Sequence, residues 1–272
     1  MKNYFDIAEK IIVITGGAGI LCGAMARACA ESGAKVAILD LNLEAATCLV
    51  NDIGDVSHRP LVLECNVLDK KSVAAACSQV EQHFGPADIL INGAGGNKKE
   101  ATTKTELSFF DLPEEALKFV FDINFTSTFL VTQVFAKGMT ERGTGVILNI
   151  SSMNSFRPLT NIPAYAAAKA AVSNFTQWLS VHICHNYSAH IRVNAIAPGF
   201  FLTEQNRYLL TDQKTGGLTP RGKTILDHTP MGRFGNPDDL IGAMLWLISD
   251  ASSFVTGSVI PVDGGFNSFS GV

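Results

Sequence analysis

Short runs of apolar residues, many of them β-branched, recur along the whole chain and are separated by longer segments. Such runs are typical of strands that are buried on both faces, because a solvent-exposed face would place polar residues at alternate positions. The runs predict strands at Ile11–Ile14, Val36–Leu39, Leu61–Leu63, Ile89–Ile91, Val146–Ile150, Ile191–Ala195 and Val259–Val262.

The longer segments carry apolar residues at helical spacing. They include Ala24–Ala30, Val73–Phe84, Ala116–Phe135 and Ala164–Ile183. Strands that alternate with helices are joined by crossover connections, which produce a parallel sheet. The predicted fold class is therefore α/β, a single-domain, Rossmann-type, doubly wound, seven-stranded parallel sheet with helices on both faces.

The chain shows neither a repeat of fixed period nor a linker, so we expect residues 1–272 to form one domain. The stretch at about 202–233 lacks a strong period. A long irregular segment late in an α/β chain is typical of a loop that covers a site, and we therefore predict a substrate lid there.

Composition narrows the range of partners. The formal net charge is −4, which provides no dense cationic face for nucleic acid. The longest apolar runs fall short of the ~18–20 residues of a membrane span, and no signal-peptide core precedes the first strand. Only 17% of residues are charged, which favours burial of surface between subunits. We expect a cytoplasmic homo-oligomer that binds neither nucleic acid nor membranes.

A glycine-rich turn links the first strand to the first helix and contains Gly16 and Gly19. Such turns let backbone N–H groups approach a pyrophosphate at a helix N-terminus. Asp40 ends the second strand, where its carboxylate could accept hydrogen bonds from ribose hydroxyls and would repel a 2′-phosphate. The pair predicts NAD(H) rather than NADP(H). The alternative for Asp40 alone is a helix cap for the segment that follows.

The next strand ends carry further polar and small residues. Asn66 and Val67 follow the third strand, where an amide could bond to adenine, and Asn92, Ala94 and Gly95 follow the fourth, where the backbone could lie against a cofactor.

Tyr165 and Lys169 are four residues apart and share one face of a predicted helix. We expect the ammonium group to lower the phenol pKa towards the working range of a proton shuttle. The alternative is an exposed pair without a catalytic role. Ser152 ends the fifth strand, where its hydroxyl could hold a carbonyl oxygen, and Asn124 lies on the central helix.

Together these motifs resemble the short-chain dehydrogenase/reductase family over essentially the whole chain. The resemblance is carried by the Thr-Gly-rich turn, Asp40, Asn92–Gly95, Asn124, Ser152, Tyr165 and Lys169, Pro198-Gly199, and the C-terminal Val255-Thr256-Gly257 and Val262-Asp263-Gly264-Gly265. It implies a reductase in which hydride passes directly between a nicotinamide and a carbonyl carbon.

The resemblance also implies the roles of the residues. Tyr165 would be the general acid/base, Lys169 would lower its pKa and bind the nicotinamide ribose, Ser152 would polarise the substrate carbonyl, and Asn124 would hold a water beside Lys169. The implied cofactor contacts are Gly16, Gly19, Ile20, Leu21, Asp40, Leu41, Asn66, Val67, Asn92, Ala94, Gly95, Tyr165, Lys169, Pro198, Gly199, Phe201 and Thr203.

The chain departs from the family pattern at several positions. The second and third turn glycines of the family fall on Ile20 and Cys22, Asn66 replaces a usual Asp, and Gly93 stands where a second Asn is common. The path of the backbone around the pyrophosphate is therefore left open by the sequence.

The residues expected to complete the site are polar and partly cationic, which suits a hydroxylated anion such as a sugar acid. They are Asn97, Lys98, Asn154, Arg157, Gln205 and Arg207. Their strings are similar to a bacterial subgroup labelled D-mannonate oxidoreductase or fructuronate reductase, which implies conversion of D-fructuronate to D-mannonate with NADH. A gluconate 5-dehydrogenase, a 3-oxoacyl carrier protein reductase and a non-catalytic nicotinamide sensor remain alternatives.

Two further interpretations concern metals and assembly. His182 and His185 lie three residues apart beside Cys184, but no fourth ligand follows at a suitable spacing, so we predict no metal site. The long apolar helices coincide with the segments through which family members pair, which implies a tetramer, with a dimer as the alternative.

Overall fold

A computed structural model describes residues 2–202, 207, 210–212 and 216–271. Within this part of the chain, every predicted strand is present and all of them join one parallel sheet in the order β3-β2-β1-β4-β5-β6-β7. The strands are β1 (Ile11–Thr15), β2 (Lys35–Asp40), β3 (Leu61–Glu64), β4 (Ile89–Asn92), β5 (Gly145–Ile150), β6 (Ile191–Pro198) and β7 (Val259–Val262).

Helices connect the strands as right-handed crossovers require. They are α1 (Ile20–Glu31), α2 (Leu43–Ile53), α3 (Lys70–His83), α4 (Glu114–Phe121), α5 (Ser127–Arg142), α6 (Pro163–Asn186), α7 (Pro220–Asp227) and α8 (Ile241–Ile248). Helices α2, α7 and α8 were not predicted, and α7 lies within the stretch 202–233 that was expected to be irregular. In α8 the sequence Ile-Gly-Ala-Met-Leu-Trp-Leu-Ile is almost continuously apolar, so it carries no helical period to detect.

The two faces of the sheet pack against different helices because side chains alternate along each strand. In β1, Ile12 and Ile14 pack into one core with Met25 of α1 and Met244 of α8. Val13 points the other way, into the core formed with α3, α5 and α6. The doubly wound architecture predicted from the sequence is thus confirmed.

The central helical segment was predicted as one helix, Ala116–Phe135, and is longer and less regular. It runs from α4 through a π-helical segment, Asp122–Thr126, into α5. By length and composition alone, Glu114–Arg142 is the one stretch of the described residues that could cross a membrane. Its buried side chains, among them Phe135 and Met139, pack in the core beneath the sheet, which accounts for its apolar character.

Candidate active site

A cavity of about 590 Å³ lies beyond the carboxyl ends of the strands. It is centred where β1 separates β2 from β4, the point at which successive crossovers turn to opposite sides of the sheet and where open α/β sheets bind their ligands. The predicted site residues that line it are Gly16, Gly19, Ile20, Leu21, Asp40, Leu41, Val67, Ala94, Gly95, Ser152, Tyr165, Lys169, Pro198, Gly199 and Phe201.

The turn between β1 and α1 brings backbone close to backbone. Gly16 has a φ of +63°, and a Cβ there would lie 2.7 Å from the Cα of Ala94. Any side chain at position 16 would therefore collide with the loop after β4. The N-cap of α1, Gly19, provides no side chain to bond the first-turn N–H groups, and Ile20 and Leu21 of that turn line the cavity. This cradle fits the phosphates of a dinucleotide.

Two departures from the family pattern explain each other. Cys22 occupies the place of a glycine, and Gly93 occupies the place of a larger residue. In the fold the two positions face one another, because a Cβ on Gly93 would lie 2.1 Å from the Sγ of Cys22. The Cys22 thiol fills the space that a side chain at position 93 would require. The side chain at position 22 thus takes the place of the one missing at position 93.

Asp40 is held at the end of β2 by two backbone groups. One carboxylate oxygen accepts a hydrogen bond from Ala18 N at 3.0 Å and the other accepts one from Asn42 N at 2.9 Å. The N-cap of α2 is Asn42, whose side chain accepts from Ala45 N, so Asp40 is not the cap of that helix. Each oxygen of Asp40 keeps a second lone pair, and the residue lines the cavity.

Ser152, Tyr165 and Lys169 meet at the opposite end of the cavity. Ser152 follows β5, and α6 begins at Pro163, a residue suited to the first helical position, so that Tyr165 and Lys169 lie on its first turns. The Nζ atom of Lys169 donates to the carbonyl of Ile150 at 2.8 Å and lies 5.6 Å from the centre of the Tyr165 ring. That bond ties α6 to the end of β5.

The effect predicted for the phenol is wrong for the protein described here. Burial raises the pKa of Tyr165, and a hydrogen bond with Ser152 offsets only part of this rise. Lys169 is not one of the groups that lower the phenol pKa, and its ammonium group donates to the carbonyl of Ile150. Burial also lowers the pKa of Lys169 to about 8, since a charged amine loses its hydration.

Asn124 is fully buried in the π-helical segment and contacts the wall of the cavity. Its Nδ2 donates to the carbonyls of Gly96 and Val120, both at 2.7 Å, and its Oδ1 accepts from Gly96 N at 3.2 Å. The backbone carbonyl of Asn124 accepts from the Thr128 hydroxyl at 2.9 Å. The side chain therefore fixes the loop after β4, and the predicted water position is not tested.

Two residues predicted to contact the cofactor do not line the cavity. The side chain of Asn66 is exposed and accepts from Leu68 N at 3.0 Å within its own turn. Asn92 is buried and donates to Thr132 and Asn149, at 2.9 Å and 2.8 Å, on the helix side of the sheet. Asn66 lies in the turn after β3, and Asn92 lies in the core, where its Oδ1 has no partner among the described residues. Neither residue lines the cavity.

The predicted substrate residues are dispersed. Asn97 is exposed and donates to Thr102 at 2.9 Å, and the Lys98 ammonium lies 3.8 Å from the centre of the Phe119 ring. Arg157 is exposed and donates to the carbonyl of Phe269 at 3.0 Å. Asn97, Lys98 and Arg157 are not among the described residues that line the cavity.

The remaining substrate candidates divide into three cases. Asn154 is buried and bonds to Ser152, whereas Arg207 is exposed. Gln205 lies outside the described residues, as does Thr203 of the predicted cofactor contacts.

Several cavity-lining residues were not predicted. They are Ala18, Leu39, Asn42, Ala45, Cys65, Ile123, Ile150, Ser151 and Phe200. Most of them adjoin a predicted position on the same strand end or turn, and that adjacency was the signal available in the sequence.

Comparisons with known proteins agree with this geometry. A family model described as Enoyl-(Acyl carrier protein) reductase matches residues 18–267. A candidate D-mannonate oxidoreductase from Haemophilus influenza, solved with NAD bound, is similar to this chain with 47% identity and a TM-score of 0.92, and the match covers 98% of each chain.

Two more distant relatives are also similar. The 5-keto-D-gluconate 5-reductase of Escherichia coli is 35% identical over 97% of this chain and 98% of its own. The actinorhodin polyketide ketoreductase, solved with NADPH, is 25% identical with a TM-score of 0.84, covering 96% of this chain and 98% of its own. The protein is therefore an oxidoreductase by relationship, and its relatives differ in both substrate and cofactor.

Proposed function

The chain belongs to the short-chain dehydrogenase/reductase family, and from that premise we propose that it interconverts a secondary alcohol and a ketone on a sugar acid with NAD(H), with D-fructuronate and D-mannonate as the substrate pair. One observation carries the proposal. A single cavity joins the glycine cradle and Asp40 at one end to Ser152, Tyr165 and Lys169 at the other. A nicotinamide dinucleotide fits such a cavity. Its pyrophosphate and adenosine ribose suit the glycine cradle and Asp40, and its nicotinamide end must lie beside the groups that handle the proton.

The cofactor would be held by backbone at the cradle, by Asp40 at the ribose next to adenine, and by Lys169 and the Pro198-Gly199 segment near the nicotinamide. Thr203, outside the described residues, belongs to the same proposed set. When bound, the nicotinamide cofactor supplies a hydride to, or accepts one from, the substrate carbon that changes oxidation state. Asp40 favours NAD(H) because its charge opposes a 2′-phosphate, and the Haemophilus relative with bound NAD supports this preference.

The protein's own residues manage the proton. In the reducing direction, Ser152 donates a hydrogen bond to the carbonyl oxygen, and the neutral Tyr165 phenol passes its proton to that oxygen as negative charge develops there. In the oxidising direction, Tyr165 must first lose its proton and then accept one from the alcohol. Near neutral pH the phenol is protonated, as an ordinary tyrosine is, and this is the state that the reducing direction requires. The raised pKa of Tyr165 makes removal of that proton, which the oxidising direction requires first, less favourable.

The assignment to a sugar acid rests on polar and cationic residues that follow cavity-lining positions in the sequence. Lys98 follows the cavity-lining Gly96 by two residues, and Arg157 lies on the segment after Ser152. We place the carboxylate of the substrate within reach of these cations, with Asn97 and the lid segment 202–233, including Gln205 and Arg207, completing the site. The Escherichia relative that reduces 5-keto-D-gluconate favours a second candidate, a keto-gluconate reductase.

The test is the oxidation of NADH by the purified protein with D-fructuronate, in parallel with 5-keto-D-gluconate, a 3-oxoacyl thioester and NADPH. We expect rapid turnover with D-fructuronate and NADH. Faster turnover with 5-keto-D-gluconate would replace the substrate by the second candidate. Preference for the thioester and NADPH, or NADH binding without turnover on any carbonyl, would overturn the proposal.

We also propose a homotetramer, assembled through the outer face of α6. Trp178 and Val181 are more than half exposed there, at 54% and 56%, which is unusual for side chains of this size. Light scattering of the eluted protein tests this assembly, and a monomer at micromolar concentration would contradict it.

A further inference from the structure

The hydroxyl of Ser152 is surrounded by hydrogen-bond donors from a single neighbouring residue. The backbone N and the side-chain Nδ2 of Asn154 both lie 3.2 Å from the Oγ of Ser152. Ser152 and Asn154 are buried, with 6% and 7% of their surface exposed. The contact is therefore protected from water, and a polar group at this depth keeps its partners.

The orientation of the Asn154 amide is fixed from its other side. Leu159 N donates to the Oδ1 of Asn154 at 3.1 Å, and a backbone N–H can only donate. The oxygen of the amide must therefore face Leu159, which leaves the NH₂ group facing Ser152. The two hydrogen bonds to Ser152 are both donated to it and cannot be reversed without breaking the bond to Leu159.

The backbone of Ser152 is held by the same turn. Its carbonyl accepts from Ser155 N at 2.9 Å and from the Ser155 hydroxyl at 2.8 Å, in the short helical turn Met153–Ser155. The hydroxyl group is thus attached to a rigid support, and its position does not depend on the bound substrate.

A serine hydroxyl has two acceptor lone pairs and one proton to donate. Because Asn154 fills both lone pairs, the proton is the one bonding capacity that remains to Ser152. Ser152 and Tyr165 both line the cavity where the substrate oxygen would bind, so this proton is available to a group there.

We propose that Asn154 is a positioning residue that sets Ser152 as an obligatory hydrogen-bond donor towards Tyr165 and the substrate oxygen. The inference rests on the proposed function, since it assigns to Ser152 the donation that polarises a carbonyl. It also replaces the prediction that Asn154 contacts substrate. Ser152 lowers the pKa of Tyr165 and so offsets part of the rise caused by burial, and Asn154 therefore acts on both groups through one hydroxyl.

The decisive variant is Asn154→Asp, which has the same shape. An aspartate can still accept from Leu159 N, so the loop is retained, but its second oxygen presents an acceptor to Ser152 and draws the hydroxyl proton away from the cavity. We expect Asn154→Asp to lower kcat by about 10-fold or more, at least as much as Asn154→Ala. A role limited to loop structure predicts that Asn154→Asp retains the activity of the wild type.

The matched control is Asn161→Ala. Asn161 lies on the same connection between β5 and α6, is partly buried, and accepts from the Thr103 hydroxyl at 3.4 Å instead of bonding Ser152. We expect Asn161→Ala to retain kcat. This result would show that loss of an asparagine amide from the connection between β5 and α6 does not by itself lower kcat.

A double-mutant cycle separates positioning from packing. If Asn154 acts through Ser152, the Asn154→Ala change has no further effect on kcat in a Ser152→Ala background. If the two substitutions instead lower kcat independently, so that their fold-losses multiply in the double variant, the proposal is contradicted.

A readout without substrate keeps the inference testable should the sugar-acid assignment fail. Ionisation of Tyr165 can be followed by NMR of protein labelled at tyrosine Cζ, with the signal assigned by Tyr165→Phe. We expect Asn154→Ala and Asn154→Asp to raise the pKa of Tyr165 by about 0.5 to 1, because a neutral hydrogen bond to the phenolate is lost. An unchanged pKa in both variants would overturn the inference, whatever the substrate is found to be.

Discussion

The two walls of the cavity are built by different means. The cofactor wall consists of strand ends and one tight turn, and its predicted residues between Gly16 and Phe201, apart from Asn66 and Asn92, converge on a common space. The substrate wall was predicted from Asn97, Lys98 and Arg157, which are exposed and bonded elsewhere. The difference follows from the backbone, because a strand end is fixed by its ladder whereas a loop side chain has several partners within reach.

This contrast predicts where substitutions have large effects. On the cofactor wall, backbone atoms lie within van der Waals contact of one another, so an added methyl group has no place to go. On the substrate wall, one exposed cation can be removed and water takes its place. The proposed catalytic residues lie at the junction of the two walls and belong to the rigid one, through the bond between Lys169 and Ile150.

The largest effect is expected for Tyr165→Phe, which tests the junction itself. Removal of the phenol proton should reduce turnover by about 10³-fold or more while NADH binds with nearly unchanged affinity, because the ring remains in place. Stopped-flow hydride transfer and a fluorescence titration with NADH provide the two measurements. Tyr4→Phe, at a tyrosine that is 55% exposed and distant from the cavity, is the matched control. Activity within tenfold of the wild type would exclude Tyr165 as the proton donor.

The next effect concerns the exchange of Cys22 and Gly93 on the cofactor wall. Gly93→Ala should lower the free energy of unfolding by about 1–3 kcal/mol and weaken NADH binding, because the added Cβ would lie 2.1 Å from the thiol. Urea denaturation and NADH titration measure both consequences.

In a Cys22→Gly background, Gly93→Ala should lower the free energy of unfolding by less, since the thiol is gone. The position is still crowded, because the added Cβ would lie 2.9 Å from Thr15 O. Equal costs of Gly93→Ala in the two backgrounds would show that the thiol does not occupy this space.

A smaller effect follows from the buried amine of Lys169. Its pKa in the folded protein is about 8, below the ordinary 10.5. Between these values the unfolded chain binds a proton that the folded protein has released, so the free energy of unfolding rises with pH in this window. The rise should approach about 1.4 kcal/mol for each unit of pH.

Lys169→Met removes this titration and provides the reference. Buried Cys29, whose pKa burial raises to about 12, lowers stability above pH ~9 in both proteins and cancels in the difference. Cys22 interacts with the charge of Lys169, so both proteins carry Cys22→Ala. A difference that is constant from about pH 8 to 10 would mean that Lys169 is hydrated.

The smallest effects are expected on the substrate wall. Lys98→Ala or Arg157→Ala should raise KM for the sugar acid by no more than about tenfold and leave kcat and NADH affinity unchanged, because both side chains are exposed. Steady-state kinetics with the acid substrate test this expectation. A loss of turnover comparable to that of Tyr165→Phe would show that the substrate wall is as sensitive to substitution as the cofactor wall.

Elements with a strong local pattern could be predicted from the sequence. All seven strands were, because buried parallel strands leave continuous apolar runs. The π-helical segment at Asp122–Thr126 was not, because one additional residue in a turn does not alter an apolar pattern enough to detect. That segment places Asn124 against Gly96, a contact between residues 28 positions apart.

Within the site, residue type was predicted more reliably than residue partnership. Tyr165 and Lys169 were found from their spacing, yet the partner of the Lys169 amine, the carbonyl of Ile150, is a backbone group that no motif identifies. Asn92 resembled a cofactor contact because it ends a strand, and its partners Thr132 and Asn149 lie 40 and 57 residues away. Partnerships of this kind are decided by tertiary packing, which local spacing does not encode.

The exchange between Cys22 and Gly93 also constrains how this chain can change over generations. While Cys22 is present, every larger residue at position 93 meets the thiol, so a return to the common arrangement must begin at position 22. The reverse order passes through an intermediate in which both side chains compete for one space. In either direction, the path between the two arrangements thus passes through a chain with small residues at both positions.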